Sequence, residues 1–180
     1  HLQESLSLYR RLGNQNDTAL ALMYLGDISL GQGDQARAGR LYEESVTLFR
    51  QLGNKIVLPY ALRQLGYLAL AQGDVGGAAK LCTESFTLNL AVGEKQGSAA
   101  ALAALAALAA AQGQWARAAQ LLGIAEAWLA AIQTQLLPLD RVRYEQTAAT
   151  IRTHLDVATI ATAQTAGQTM TVAEVSAYAL

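Results

Sequence analysis

The stretch LGDISLGQGDQARAGRLYEESVTLFRQLGN, residues 25–54, returns as LGYLALAQGDVGGAAKLCTESFTLNLAVGE at residues 65–94. Leu25-Gly26 matches Leu65-Gly66, Gln32-Gly33-Asp34 matches Gln72-Gly73-Asp74, and Ala38 matches Ala78. Glu44-Ser45 matches Glu84-Ser85, and Leu52-Gly53-Asn54 becomes Val92-Gly93-Glu94. A third copy follows in frame through Leu105-Ala106, Gln112-Gly113-Gln114 and Ala118, and Glu4-Ser5 and Leu12-Gly13-Asn14 stand one period upstream. Every offset is 40 residues. A fixed period of this length marks a stack of like units, none of which buries its apolar face alone.

Each unit reads as two helices. The first runs roughly from Thr18 to Gln32, with Ala21, Leu22, Leu25 and Ile28 near helical spacing. Gly33 stops it, and Asp34 caps the second helix by accepting from free amides of the first turn. That second helix carries Ala38, Leu41, Tyr42, Val46, Leu48 and Phe49 and ends near Leu52-Gly53. The same reading covers 57–92 and 97–132. Gly26 and Gly66 are expected where a neighbouring helix approaches closely, with Ala38, Ala78 and Ala118 on the facing helix. The chain divides accordingly into the second helix of an incomplete unit (1–14), three units (15–54, 55–94 and 95–133) and a helical C-terminal cap (134–180). Opening partway through a unit, without an initiator methionine, it reads as a piece of a larger protein.

After Ile132 the period fails. Pro138 is expected to start a helix with Tyr144, Ala148, Ile151 and Leu155 on one face. Gly167 is expected to break the next segment. Thr171-Val172-Ala173-Glu174 has the form of a capping box that opens a short last helix. Divergent end helices suit a stack whose last unit needs a cover.

The order Leu-Gly, Gly-Asp turn, Ala, then a larger apolar residue four positions on (Tyr42, Cys82, Leu122) resembles the tetratricopeptide (TPR) motif. That resemblance implies an all-α fold, a right-handed α-α superhelix or solenoid. The usual period is about 34 residues with a closing proline; here it is 40 and the proline is missing, the extra residues lying near Gly53-Asn54-Lys55 and Gly93-Glu94-Lys95. HEAT-like repeats match the period better, but the Gly-Asp turn and the Leu-Gly pair argue against them. Residues 118–180 carry a second likeness, through Ala118-Ala119-Gln120-Leu121-Leu122-Gly123, Ala125-Glu126-Ala127, Leu137-Pro138-Leu139, Tyr144-Glu145, Thr171-Val172-Ala173-Glu174 and Ala177-Tyr178-Ala179-Leu180. They resemble the C-terminal TPR region of bacterial LuxR/MalT-like signal-transduction ATPases, which are transcriptional regulators. The resemblance implies an ATPase domain upstream, and the single cysteine, Cys82, fits a reducing, cytoplasmic setting. The chain itself has no phosphate-binding Gly-x-x-x-x-Gly-Lys-Ser/Thr loop.

Composition narrows the partners. Apolar residues make up 52% and charged residues 15%, against a typical value of about 25% for the latter. The net charge of −1 offers no basic surplus for phosphates, so no direct nucleic-acid partner is expected. No basic amphipathic stretch or 18-residue apolar run suggests a membrane. The single cysteine, Cys82, forms no internal disulfide and falls at a core position, which reads as a buried structural thiol. His154 has no partners at ligand spacing. Glu4, Glu44 and Glu84 read as structural carboxylates pairing with Arg40, Lys80 or backbone, and Ser5, Ser45 and Ser85 as packing on or bonding to the preceding helical turn. No catalytic group, metal ligand or cofactor is assigned, and the chain reads as a non-enzyme.

Function is therefore expected to lie in binding: a protein–protein interaction or regulatory scaffold for a protein, a peptide or another domain of the parent. The alternative is a small-molecule effector-sensing domain. The concave face should show Leu20, Met23, Asp27 and Leu30 in one unit and Tyr60, Arg63, Tyr67 and Leu70 in the next. Of these, Met23, Asp27, Tyr60, Arg63, Tyr67 and Leu70 are the candidate contacts, because tyrosine and arginine dominate binding hot spots. The Ala-rich run 99–111 is expected to be covered by the C-terminal helices. Apolar surface at the N-terminal face is expected to drive weak self-association.

Overall fold

A computed structural model describes residues 1–179, all helices and short connections. The ten helices are α1 (Leu2–Arg11), α2 (Gln15–Gly31), α3 (Gln35–Leu52), α4 (Leu58–Ala71), α5 (Val75–Val92), α6 (Lys95–Ala111), α7 (Trp115–Ala131), α8 (Pro138–Arg152), α9 (Val157–Gln168) and α10 (Val172–Ala179).

The helix ends repeat with twice the frequency of the sequence. Gly13, Gly33, Gly53, Gly73, Gly93 and Gly113 all have φ between 65° and 81°, the left-handed region in which a side chain is penalised. They stand 20 residues apart. The residue after the glycine stands at the N-cap of the next helix in five of the six cases, and after Gly53 the helix restarts only at Leu58. Asn14, Asp34, Asp74 and Glu94 accept from the backbone N–H groups of Asp17, Arg37, Gly77 and Gly97 at 2.8–3.2 Å. The seventh place in the series is Gln133, which has φ 52° although it is not glycine. The backbone rhythm thus outlasts the sequence repeat by one half-unit.

Packing follows chain order. The pairs α2/α3, α4/α5 and α6/α7 make the most extensive contacts, and each pair leans on the next through α3/α4 and α5/α6. Within a pair, missing volume on one helix meets a side chain from the other. A Cβ on Gly26 would fall 2.7 Å from the Tyr42 ring, and one on Gly66 would fall 2.6 Å from Cys82 Sγ. Leu22, Leu62 and Leu102 form a fully buried column, one per unit, and Ala38, Ala78 and Ala118 a second. Ser45 Oγ donates to Ala19 O at 2.8 Å and Ser85 Oγ to Pro59 O at 2.7 Å. Only Ser5 bonds its own preceding turn, at His1 O. The other two serines instead tie the second helix of a pair to the first. The glutamate row also pairs differently from expectation. Glu44 and Glu84 meet Arg10 and Arg50 of the preceding unit at 2.5 and 2.6 Å, not Arg40 or Lys80. These half-exposed pairs contribute about 0–1 kcal/mol each.

After α7 the order changes. It is α9 that packs along α7, while α8 lies against α6. Gly167 is the penultimate residue of α9, which ends at Gln168, and it is buried. Its bare Cα lets α9 approach α7: a Cβ there would fall 2.5 Å from Gln120 O, and one on Gly123 would fall 2.6 Å from Gln164 Cα. The expected capping box is formed. Thr171 N–H donates to Glu174 Oε2 at 2.7 Å, and Glu174 N–H donates to Thr171 Oγ1 at 3.3 Å.

Candidate functional site

The face lined by α2, α4 and α6 changes character along the stack. Positions 40 apart read Leu20, Tyr60, Ala100; then Met23, Arg63, Ala103; then Asp27, Tyr67, Ala107; then Leu30, Leu70, Ala110. The third unit has only methyl groups where the second has two tyrosines, an arginine and a leucine. That missing volume is where α8 lies, against the alanine surface of α6.

Helix α8 brings its own anchors. Pro138 opens it and Asp140 sits in its first turn, where the helix dipole favours negative charge. Asp140 Oδ1 accepts from Arg63 Nε at 2.9 Å and Oδ2 from Arg63 Nη2 at 2.7 Å, with Gln64 Nε2 donating to Oδ1 at 3.3 Å. Arg63 is 2% exposed and Asp140 0%. Burial alone would lower the Arg63 pKa, but the Asp140 carboxylate outweighs it and the net shift is upward. One turn further on, the Arg143 guanidinium lies 4.3 Å from the Tyr67 ring centroid.

Asp27 forms the other end of the network. Tyr42 OH donates to Oδ1 at 2.6 Å and Tyr60 OH to Oδ2 at 3.0 Å. Tyr42 reaches Asp27 because Gly26 makes room for its ring, so one Gly-Asp dipeptide serves both packing and polarity. Burial, and then the Asp27 carboxylate, push both phenols upward, so they act as donors at neutral pH. The Arg63 guanidinium carbon lies 5.2 Å from the Tyr60 centroid, which links the Asp27 group to the Arg63–Asp140 pair.

The Asp27 carboxyl is itself raised above 3.8. Burial is the main cause, the two tyrosine hydrogen bonds pull it down, and the Asp140 charge adds to the rise. The native state therefore holds this proton more tightly than the unfolded chain. The stability linked to Asp27 is fully present below pH 3.8 and is lost as pH rises through the raised native value. Asp27→Asn removes the titration. The unfolding free energy of the wild type minus that of the variant is expected to fall with rising pH across this window, in urea titrations at a series of pH values. A difference that climbs with pH would contradict the assignment.

The six expected contact residues are not one open surface. Arg63 and Tyr67 are buried, Arg63 beneath Asp140 and Tyr67 beside Arg143. Met23, Asp27 and Tyr60 border a groove of about 610 Å³ at the start of α8, with Tyr24, Ile28, Ile56 and Leu137. Leu70 and Tyr67 border a second groove of about 580 Å³ further along α8, beside Arg143, Gln146 and Thr150. Leu20 and Leu30 pack on the core. Asp140, Gln64 and Arg143 escaped the sequence reading. The one cue was an acid in a proline-started first turn, with nothing to connect it to Arg63, 77 residues earlier. Cys82 is buried against Gly66, and its thiol is pushed up to about 12 by that burial. His154 stacks on Trp115 at 3.7 Å between centroids.

Among the described residues no helix is long and apolar enough to cross a membrane. No protein-family model matches the chain, and no curated protein matches it.

Proposed function

We propose that the chain is a protein-interaction and regulatory module of tetratricopeptide type. Its helical pairs would stack in a right-handed solenoid, and the groove bordered by Met23, Asp27 and Tyr60 would receive a peptide or helix of a partner. One observation carries this reading: large apolar side chains left in solvent gather at that groove. Tyr24, Ile28, Ile56 and Leu137 all border it and are all exposed, Ile56 by 71%. A contiguous apolar patch of this kind marks an interaction surface more often than scattered residues do. Asp27 at its edge supplies the polar group that fixes a partner's register. The repeat chemistry supports the tetratricopeptide reading: a left-handed glycine every 20 residues from Gly13 to Gly113, and the space at Gly26 and Gly66 filled by the larger residue of the facing helix.

The likeness of residues 118–180 to LuxR/MalT-like regulators supports placing the module in a cytoplasmic multidomain ATPase regulator, with another domain of the parent as a natural occupant. Leu8 on α1 and Leu12 at its C-cap are exposed and offer a surface for weak self-association.

The test is peptide selection on the whole chain. Peptides selected from a random display library are expected to compete with one another and to carry apolar residues beside a hydrogen-bond donor. Ile28→Glu with Ile56→Glu changes only exposed groove residues and is expected to weaken them at least about tenfold. Peptides that bind this variant as well as the wild type would move the site elsewhere, and a library that yields no binder would remove the interaction reading.

A further inference from the structure

We propose that the second groove, between α4, α6 and α8, binds a small organic acid, with its carboxylate on Arg143 and its apolar body along the alanine surface of α6. This inference stands independently of the partner groove, with which it shares no lining residue.

The cavity holds about 580 Å³, within the roughly 300–1,000 Å³ usual for small-molecule sites. It exists because Ala107 and Ala110 stand where the preceding unit has Tyr67 and Leu70, and because α8 walls the space without filling it. Its apolar lining comes from these alanines, Ala111 and Trp115. Its polar lining includes Arg143 and Thr150 of α8.

The charge accounting gives the ligand class. The two arginines of this region are treated differently. Arg63 has both oxygens of Asp140. Arg143 is half-buried, and among the described residues its guanidinium meets no carboxylate and donates to no oxygen. Asp140, the acidic group that acts on it, is already held by Arg63. Burial lowers the Arg143 pKa, the mark of a cation that has lost water and has not gained an anion. Beneath it, the buried Tyr67 hydroxyl has no hydrogen-bond partner. A buried polar group without a partner is uncommon in a folded protein. A guanidinium fork matches a carboxylate through two parallel hydrogen bonds, and one cation suits one negative charge.

The experiment uses the 180-residue chain, with phenylacetate as probe and phenylacetamide as its uncharged isostere. Binding is followed by NMR at the arginine Nε–H and Trp115 Nε1–H signals. Phenylacetate is expected to give saturating shifts with a Kd in the millimolar range, and the amide to bind at least about tenfold more weakly, the usual loss for a hydrogen bond to a charged group. Arg143→Gln is expected to weaken phenylacetate by about the same factor. Ala111→Phe adds bulk at an exposed position on the groove wall, leaves Arg143 in place, and is expected to abolish binding. Circular dichroism melts establish that both variants fold. Equal binding of acid and amide, undiminished binding to either folded variant, or no saturating shift with phenylacetate would each overturn the proposal.

Discussion

Asp140→Ala is expected to be among the most damaging single substitutions in the chain, costing about 3–5 kcal/mol if α8 stays in place. The Asp140 side chain is small, so the effect does not come from lost packing. It comes from what remains: Arg63, 2% exposed on α4, would keep its charge and lose its only anion. While α8 covers the face, the space bordering Arg63 and Asp140 is a small cavity of about 130 Å³. The chain therefore either tolerates a buried unpaired cation or releases α8. Equilibrium urea unfolding measures the first outcome, and hydrogen exchange in residues 138–152 separates it from the second. Arg63→Met with Asp140→Leu removes both charges and keeps the volume. That pair is expected to fall within about 1–2 kcal/mol of the wild type, because an ion pair taken wholly out of water gains little over apolar packing. A single variant that melts like the wild type, with α8 still protected, would show that the pair carries no weight.

The second large effect reverses a rule of helix stability. Alanine for glycine inside a helix ordinarily stabilises by about 1 kcal/mol. At Gly123 and Gly167 the sign is expected to invert. The added methyl would stand 2.6 Å from Gln164 Cα in one case and 2.5 Å from Gln120 O in the other. Both obstacles are backbone, which cannot swing aside as a side chain can. Helix α9 would have to move off α7, opening a gap along the contact and costing about 1–3 kcal/mol each. Gly39→Ala is the control. Its nearest neighbour would be Leu68 Cδ1 at 3.9 Å, ordinary contact, so it is expected to gain the usual increment. Thermal melts of the three variants provide the comparison. Destabilisation at Gly123 and Gly167 with stabilisation at Gly39 identifies close approach, not propensity, as the reason for the two α7–α9 glycines.

The contrast between Gly33 and Gly167 shows how far sequence reading reaches. Gly33 recurs in frame, follows an apolar helix and precedes a capping acid, and its turn was legible from those neighbours. Gly167 recurs nowhere, and a lone glycine gives the same letter whether it ends a helix or lets another one come close. The Ala-rich run 99–111 told in advance that something would cover it, because methyl groups leave room. The sequence held no sign that the anchor would be Arg63 to Asp140, since that pair spans a boundary where the period has lapsed. Met23, Asp27 and Tyr60 could be placed on one face by period alone. That Arg63 and Tyr67 would be hidden from solvent depended on α8, whose position no repeat dictates.

The spacing of the left-handed turns limits how such a chain can change length. Excising 40 residues between equivalent points would return every remaining turn to its place, and inserting 40 would do the same. Excising 20 would also keep the glycines in step, yet it would exchange first and second helices downstream, setting Tyr42-like bulk where Gly26-like absence is required. Length in this architecture is quantised by whole hairpins, although its turns are counted in halves.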